Sequence, residues 1–167
     1  MDRPEDYDSL TTLDISCKRL IELPFWVSEC KKLENLYCTG NDITHLDNLP
    51  QGLKNLDCSS NKITHLDNLP QGLKELVCSE NQITHLDNLP QELTELVCYC
   101  NDNQITHLDN LPQKLNELYC YNNKITHLDY LPITLKQLIC LNNPLKYDFK
   151  PTLVNIKNYI YHNTKIN

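Results

Sequence analysis

Histidine side chains recur at a fixed interval along the chain, and an aspartate follows each of them two residues later. The five pairs are His45 and Asp47, His65 and Asp67, His85 and Asp87, His107 and Asp109, and His127 and Asp129. Imidazole is a common ligand of transition metals, and it can also respond to pH near neutrality. We interpret the column instead as a solvent-exposed face of near-identical copies, so we predict no metal site.

Cysteine is the second residue type with possible chemistry. The chain has nine cysteines, an odd number, and Cys17, Cys30 and Cys100 are the better candidates for reactive thiols. The other six share one position of a repeat, and zinc needs four ligands that converge on one point, which side chains stacked in a column do not do. We therefore predict that the six fill the core: they are Cys38, Cys58, Cys78, Cys98, Cys120 and Cys140.

No catalytic or cofactor-binding motif is recognisable. The chain shows no nucleophile with an adjacent base and orienting group, and Gly40, Gly52 and Gly72 form no phosphate-binding loop. The formal net charge of −7 argues against nucleic-acid binding, which needs a basic patch. We predict that the protein is not an enzyme and has no cofactor, no small-molecule substrate and no nucleic-acid partner.

These residues are positioned by an internal repeat. The stretch Ile-Thr-His-Leu-Asp-Asn-Leu-Pro occupies 43–50 and returns at 63–70, 83–90 and 105–112, and nearly intact at 125–132. The step is twenty residues, with one step of twenty-two. A fixed period of this length is typical of a solenoid, in which one short unit is copied and stacked.

Each repeat reads as a short strand followed by an irregular return. Leu36 and Cys38 alternate with outward positions, which is the period-two pattern of a strand. Apolar residues then come every third position up to Pro50, which favours an extended or 3₁₀-like segment. No coil can bury its apolar face alone, so we predict that neighbours stack and that their strands form a parallel sheet.

The chain is predicted to contain three regions. A flexible acidic N-terminus covers 1–9, the solenoid covers 10–148, and a cap with a short amphipathic helix over 151–160 covers 149–167. Pro151 would lie in the first turn of that helix. Its expected role is to cover the open end of the stack. About seven coils are expected, starting at residues 10, 33, 53, 73, 93, 115 and 135.

An asparagine follows the strand in most coils. We predict that these side chains bond the backbone groups that leave the sheet there, because a buried polar group needs a partner. In the coil with two extra residues, counting from Cys98 selects Asn101 and counting back from Ile105 selects Asn103. The predicted structural asparagines are Asn41, Asn61, Asn81, Asn123 and Asn143.

The pattern Leu-x-x-Leu-x-Leu/Cys-x-x-Asn-x-Leu/Ile, from Leu10 to Leu145, resembles the leucine-rich-repeat signature. Its Leu-Asp-Asn-Leu-Pro-Gln-Gly-Leu segments resemble the short bacterial-type subclass of secreted effectors. The repeated cysteine and the Asn-Leu-Pro-Gln linkage look most like leucine-rich-repeat proteins of Mimivirus-type giant viruses. The resemblance implies a right-handed curved solenoid with the parallel sheet on its concave face and extended or 3₁₀ segments on its convex face. It also implies protein partners on the concave face.

Bacterial effectors of this kind often carry a ubiquitin-ligase domain after the repeats. Only 146–167 follow the repeats here, so we carry over no ligase activity.

The variable strand positions predict where a partner binds. Apolar and aromatic residues gather there in the later coils, and such contiguous residues mark interaction sites. The alternative to partner binding is that the C-terminal helix covers these residues, or that the tyrosines are solvated surface residues without a binding role. The predicted partner-binding residues are Val97, Tyr99, Tyr119, Tyr121, Ile139 and Leu141.

The second functional hypothesis is a structural or self-assembling protein that associates through its solenoid ends, around 10–15 or the C-terminal helix. We expect a monomer or a weak homo-oligomer. The segment 1–9 does not resemble a signal peptide, and no apolar run is long enough to cross a bilayer. Free cysteine thiols indicate a reducing compartment. We therefore predict a cytoplasmic protein without a membrane partner, located in the host cytoplasm if it is viral.

Overall fold

In the described part of the chain, seven short strands form one parallel sheet. The computed structural model describes residues 2–98 and 103–164. Each strand pairs with the next in sequence, so the sheet order is the chain order. The strands are β1 (Thr12–Asp14), β2 (Asn35–Tyr37), β3 (Asn55–Asp57), β4 (Glu75–Val77), β5 (Glu95–Val97), β6 (Glu117–Tyr119) and β7 (Gln137–Ile139). The predicted stack of coils with a parallel sheet is confirmed.

The middle residue of every strand is a leucine that points into the core. Leu36, Leu56 and Leu76, for example, are adjacent in register and fully buried. The residues on either side of each leucine face outward, because side chains alternate along a strand. Each well-buried leucine stabilises the fold by about 1.5–3 kcal/mol. The burial is shared between neighbouring coils, so the stack and not the single coil is the stable unit.

Cysteines form a second buried column beside the leucines. All six repeat cysteines are free thiols and buried. Burial raises the pKa of Cys38 and of Cys98 to about 12. Burial, and then the neighbouring thiols, raises the pKa of Cys58 and of Cys78 well above the ordinary value. These thiols therefore stay protonated and apolar at neutral pH.

The returns between strands are extended segments with tight turns. In the described part of the chain, a 3₁₀ helix occurs only at Phe25–Glu29, in the longer first return. The sequence left extended and 3₁₀-like geometry open, and the described later returns contain no 3₁₀ helix. Asn48 and its counterparts Asn68, Asn88 and Asn110 adopt a left-handed backbone with φ of 57° or 58°. Asparagine tolerates this conformation better than most residues, which permits a turn within so few residues.

One asparagine in each coil after the first links that coil to the preceding one. The Asn81 Oδ1 accepts a hydrogen bond from the Ile63 N–H of the preceding coil at 2.9 Å, and its Nδ2 donates to the Cys58 carbonyl there at 3.0 Å. The same Nδ2 also lies within 3.2 Å of the Cys78 and Ser79 carbonyls of its own coil. The equivalent bonds recur at Asn41, Asn61, Asn103, Asn123 and Asn143.

We call this column of linking asparagines the asparagine ladder. In the longer coil, its member is Asn103. It accepts from the Ile83 N–H at 2.9 Å and donates to the Cys78 carbonyl at 3.0 Å. Of the two alternatives from the sequence, counting back from Ile105 therefore gives the ladder residue. Asn101 lies outside the described residues.

The two ends of the stack are covered differently. At the N-terminal end, Arg3 forms an ion pair with Glu29 at 2.8 Å, and its guanidinium lies 4.3 Å from the centre of the Tyr7 ring. At the C-terminal end, helix α1 (Leu153–Thr164) buries Ile156 completely. Lys157 of this helix donates to the Leu135 carbonyl at 2.7 Å. The single C-terminal helix is thus docked on the last coil.

We predict that the buried thiols make the fold sensitive to alkaline pH. Their pKa is raised in the folded state, so their contribution is unaffected below the unfolded pKa of about 9 and stability falls as the pH rises above it. For two such thiols the loss between pH 8 and pH 10 is about 2.5 kcal/mol. Urea unfolding of wild type and of C58A/C78A should show that the variant is less pH-dependent by this amount. Equal pH dependence of both proteins would contradict the prediction.

We predict that the asparagine hydrogen bonds contribute more to the free energy of unfolding at the centre of the stack than at its end. Asn81→Ala leaves the Ile63 N–H unpaired in the core and removes one of two donors from each of the Cys58, Cys78 and Ser79 carbonyls, so we expect a loss of about 2 kcal/mol in the free energy of unfolding. Asn81→Asp should be no better, because a carboxylate cannot donate to three carbonyls. Asn143→Ala, in the half-exposed last position, is the matched control and should cost less. Equal losses at both positions in chemical unfolding would contradict this order.

Candidate binding surface

The outward side chains of the strands form columns across the sheet. The first outward residues of β4, β5 and β6 are Glu75, Glu95 and Glu117, which are adjacent in register and which we call the acidic column. The second outward residues of β4 to β7 are also adjacent in register, and we call them the apolar column: Val77, Val97, Tyr119 and Ile139. Neighbouring members of a column are about 5 Å apart, since this is the spacing of strands in a sheet.

The structure brings most of the predicted binding residues together. Val97, Tyr119 and Ile139 lie side by side on three neighbouring strands, and each is partly exposed. Tyr121 and Leu141 follow two residues further along, where the Asn122 N–H donates to the Leu141 carbonyl at 3.0 Å. Leu141 is 63% exposed, so docking of helix α1 leaves this residue open to solvent. Tyr99, the remaining predicted residue, lies outside the described residues.

The Tyr119 ring is held by two polar neighbours. Its hydroxyl donates to the Glu117 Oε2 at 2.7 Å and accepts from the Gln137 Nε2 at 2.7 Å. The hydrogen bond to the Glu117 carboxylate is the main reason that the pKa of Tyr119 is raised to about 12. The sequence predicted Tyr119 as a binding residue, but the repeat pattern contains no signal that Gln137 bonds its hydroxyl. The two hydrogen bonds hold the aromatic ring in one position.

The acidic column carries uncompensated charge. Burial, and then the neighbouring Glu117 and Glu75, raises the pKa of Glu95. Within residues 2–98 and 103–164, no lysine or arginine forms an ion pair with any of these three carboxylates. The ion pairs there are Arg3–Glu29, Lys54–Glu34, Lys62–Asp42 and Lys114–Glu92.

On the first coils, the outward side chains are polar and form hydrogen bonds with one another. Asn55 donates to the Asn35 side chain at 2.6 Å, and Ser59 donates to the Asp57 carboxylate at 2.6 Å. The boundary with the apolar half lies at Ser79, which is only 3% exposed. The Ser79 hydroxyl has no hydrogen-bond partner among the residues that the structure describes. The sheet surface is therefore divided into a polar half and a half with open interaction positions.

The histidine column lies on the returns and is exposed. Each imidazole Nδ1 lies 2.7–3.0 Å from the hydroxyl of the preceding threonine, as in Thr64 and His65. The His85 and His107 rings meet edge to face at 5.4 Å. In the part of the chain that the structure describes, no group of three or more histidine, cysteine or acidic side chains is arranged to hold a metal ion. Nor does any described helix have the length and apolarity to span a membrane.

Comparisons with known proteins identify the fold. YopM, a leucine-rich effector protein from Yersinia pestis, is 29% identical with a TM-score of 0.67, and the match covers 84% of this chain and 45% of YopM. The internalin InlF from Listeria monocytogenes is 23% identical with a TM-score of 0.73, covering 86% of this chain and 48% of InlF. The functional domain of InlJ from the same organism includes a cysteine ladder. It is 28% identical with a TM-score of 0.54, covering 90% of this chain and 43% of that structure.

The fold is therefore a leucine-rich-repeat solenoid. The chain spans less than half of the length of these three structures. No protein-family model matches it, and no relative is found among curated proteins. The resemblance to giant-virus proteins finds no support in these comparisons and stays a prediction.

Proposed function

We propose that this chain is a non-enzymatic module that binds a protein partner on the concave sheet, chiefly at its C-terminal half. The observation that carries the proposal is the apolar column: Val97, Tyr119 and Ile139 lie side by side, and Leu141 beside them is 63% exposed. Contiguous exposed apolar residues mark interaction surfaces. The sheet also orders these side chains in advance, which lowers the entropic cost of binding.

The fold supports the same proposal. Stacked repeats create extended concave surfaces that solenoid proteins use for binding. The similar structures are effectors and internalins with leucine-rich repeats, which are generally protein-interaction modules. Binding of a partner on the concave face is part of this proposal. We also propose a cytoplasmic, reducing location, and the exposed free thiol of Cys17 is compatible with it.

A second candidate function is self-association through the C-terminal end. Ile133 is 89% exposed, and Tyr130 and Val154 are also largely exposed. Ile133 adjoins helix α1, because the Lys157 Nζ donates to its carbonyl at 3.1 Å. Light scattering over a wide concentration range separates the two candidates, since a monomer throughout would reject self-association.

We predict that the tyrosines of β6 dominate partner binding. In affinity capture from host lysate, Tyr119→Ala combined with Tyr121→Ala should abolish capture of the partner that wild type retains. Loss of two aromatic anchors costs about 2 kcal/mol or more each, which is well over a hundredfold in affinity. The unfolding midpoint shows whether the fold survives the double substitution.

Tyr37→Ala is the matched control for this experiment. Tyr37 occupies the position of Tyr119 on β2, within the polar half of the sheet, and is exposed. Capture by this variant should equal wild type. Undiminished capture by the β6 double variant would contradict the proposal, and so would equal losses in the two variants.

A further inference from the structure

The acidic column and the apolar column run beside each other over the same strands. On β4, Glu75 and Val77 face outward, and Ser79 follows two residues later. The same arrangement places Glu95 beside Val97 and Glu117 beside Tyr119. The two columns are about 7 Å apart, because two residues of a strand span this distance. A partner that covers one column therefore also meets the other.

The charge of this surface favours one kind of partner. Three carboxylates lie on adjacent strands without an ion pair to any described lysine or arginine, and burial raises the pKa of Glu95 more than its two acidic neighbours do. A partner that excludes water from the apolar column also desolvates these carboxylates. Desolvation of unpaired charge is costly unless the partner brings the opposite charge. An anionic partner is disfavoured for the same reason, and the net charge of −7 adds to its repulsion.

We propose that the partner contributes an extended, basic segment that lies across β4, β5 and β6. Its apolar side chains cover Val77, Val97 and Tyr119, and its lysine or arginine side chains reach Glu75, Glu95 and Glu117. This inference rests on the proposed function, because it names the chemistry of the partner that the sheet would bind. Tyr119 joins both parts of the site, since its ring belongs to the apolar column and its hydroxyl donates to Glu117.

Selection from a phage-displayed library of random peptides tests the inference with a defined probe. The full chain is immobilised, and the enriched peptides are sequenced, synthesised and measured by fluorescence anisotropy. We expect enriched peptides to contain more lysine and arginine than the starting library, together with apolar residues. Their binding should weaken several-fold between low and high salt, because salt screens exposed charges.

Two triple variants make the test specific to this surface. E75Q/E95Q/E117Q removes the acidic column, and binding of the enriched peptides should weaken at least tenfold. D67N/D87N/D109N changes the net charge equally at exposed positions on the returns, so it is the matched control and should leave the affinity within twofold. The unfolding midpoint of both variants establishes that the solenoid is intact.

The outcomes separate this inference from the proposed function. Peptides that require Tyr119 and Tyr121 but bind E75Q/E95Q/E117Q as tightly as wild type would overturn the basic partner and leave protein binding in place. Equal weakening in the two triple variants would overturn it as well, because net charge alone would then explain the effect. If no peptide depends on Tyr119 and Tyr121, both the inference and the proposed function are contradicted.

Discussion

The hydrogen bonds between one asparagine side chain and the preceding coil are the constraint on which this structure depends. A coil of twenty residues must turn sharply after a strand of three, and its backbone groups leave the sheet at that point. The side-chain amide of Asn61, for example, meets the Ile43 N–H and the Cys38 carbonyl. Without these bonds, polar groups would be buried unpaired in a core of leucine, isoleucine and cysteine. The ladder thus permits the short period, and the stacked strands place the candidate binding residues about 5 Å apart.

The repeat made most of the fold predictable. A period-two segment ending in cysteine predicts a strand, and Leu56 and Cys58 are buried as that pattern requires. The returns were predicted less well, because three-residue spacing is compatible with both extended and 3₁₀ backbone. In the structure, the described later returns have no 3₁₀ helix and turn at Asn48 and its counterparts, which adopt the left-handed conformation. The choice between Asn101 and Asn103 was also out of reach, since an insertion can be accommodated on either side of the ladder.

Only part of the candidate site could be predicted from the sequence, and the reason is physical. Alternation along a strand identifies outward positions, so the grouping of Val97, Tyr119 and Ile139 follows from the repeat alone. Side-chain contacts between coils do not follow from it. The hydroxyl of Tyr119 lies between Glu117 of its own strand and Gln137 of the next, and the Ser79 hydroxyl has no described partner. Such details depend on rotamers and on local packing, which a one-dimensional pattern does not contain.

The asparagine ladder also has a direction, and this matters while the chain is being made. Each asparagine serves the coil before it: Asn81 accepts from the Ile63 N–H, and Asn143 accepts from the Ile125 N–H. On the ribosome, a newly emerged coil therefore lacks its amide partner until the following coil has been translated. Order is then acquired with a lag of one coil, from the first synthesised end toward the last. The final coil is the exception, because the Leu145 N–H bonds to the Asn143 carbonyl of its own coil and waits for no successor.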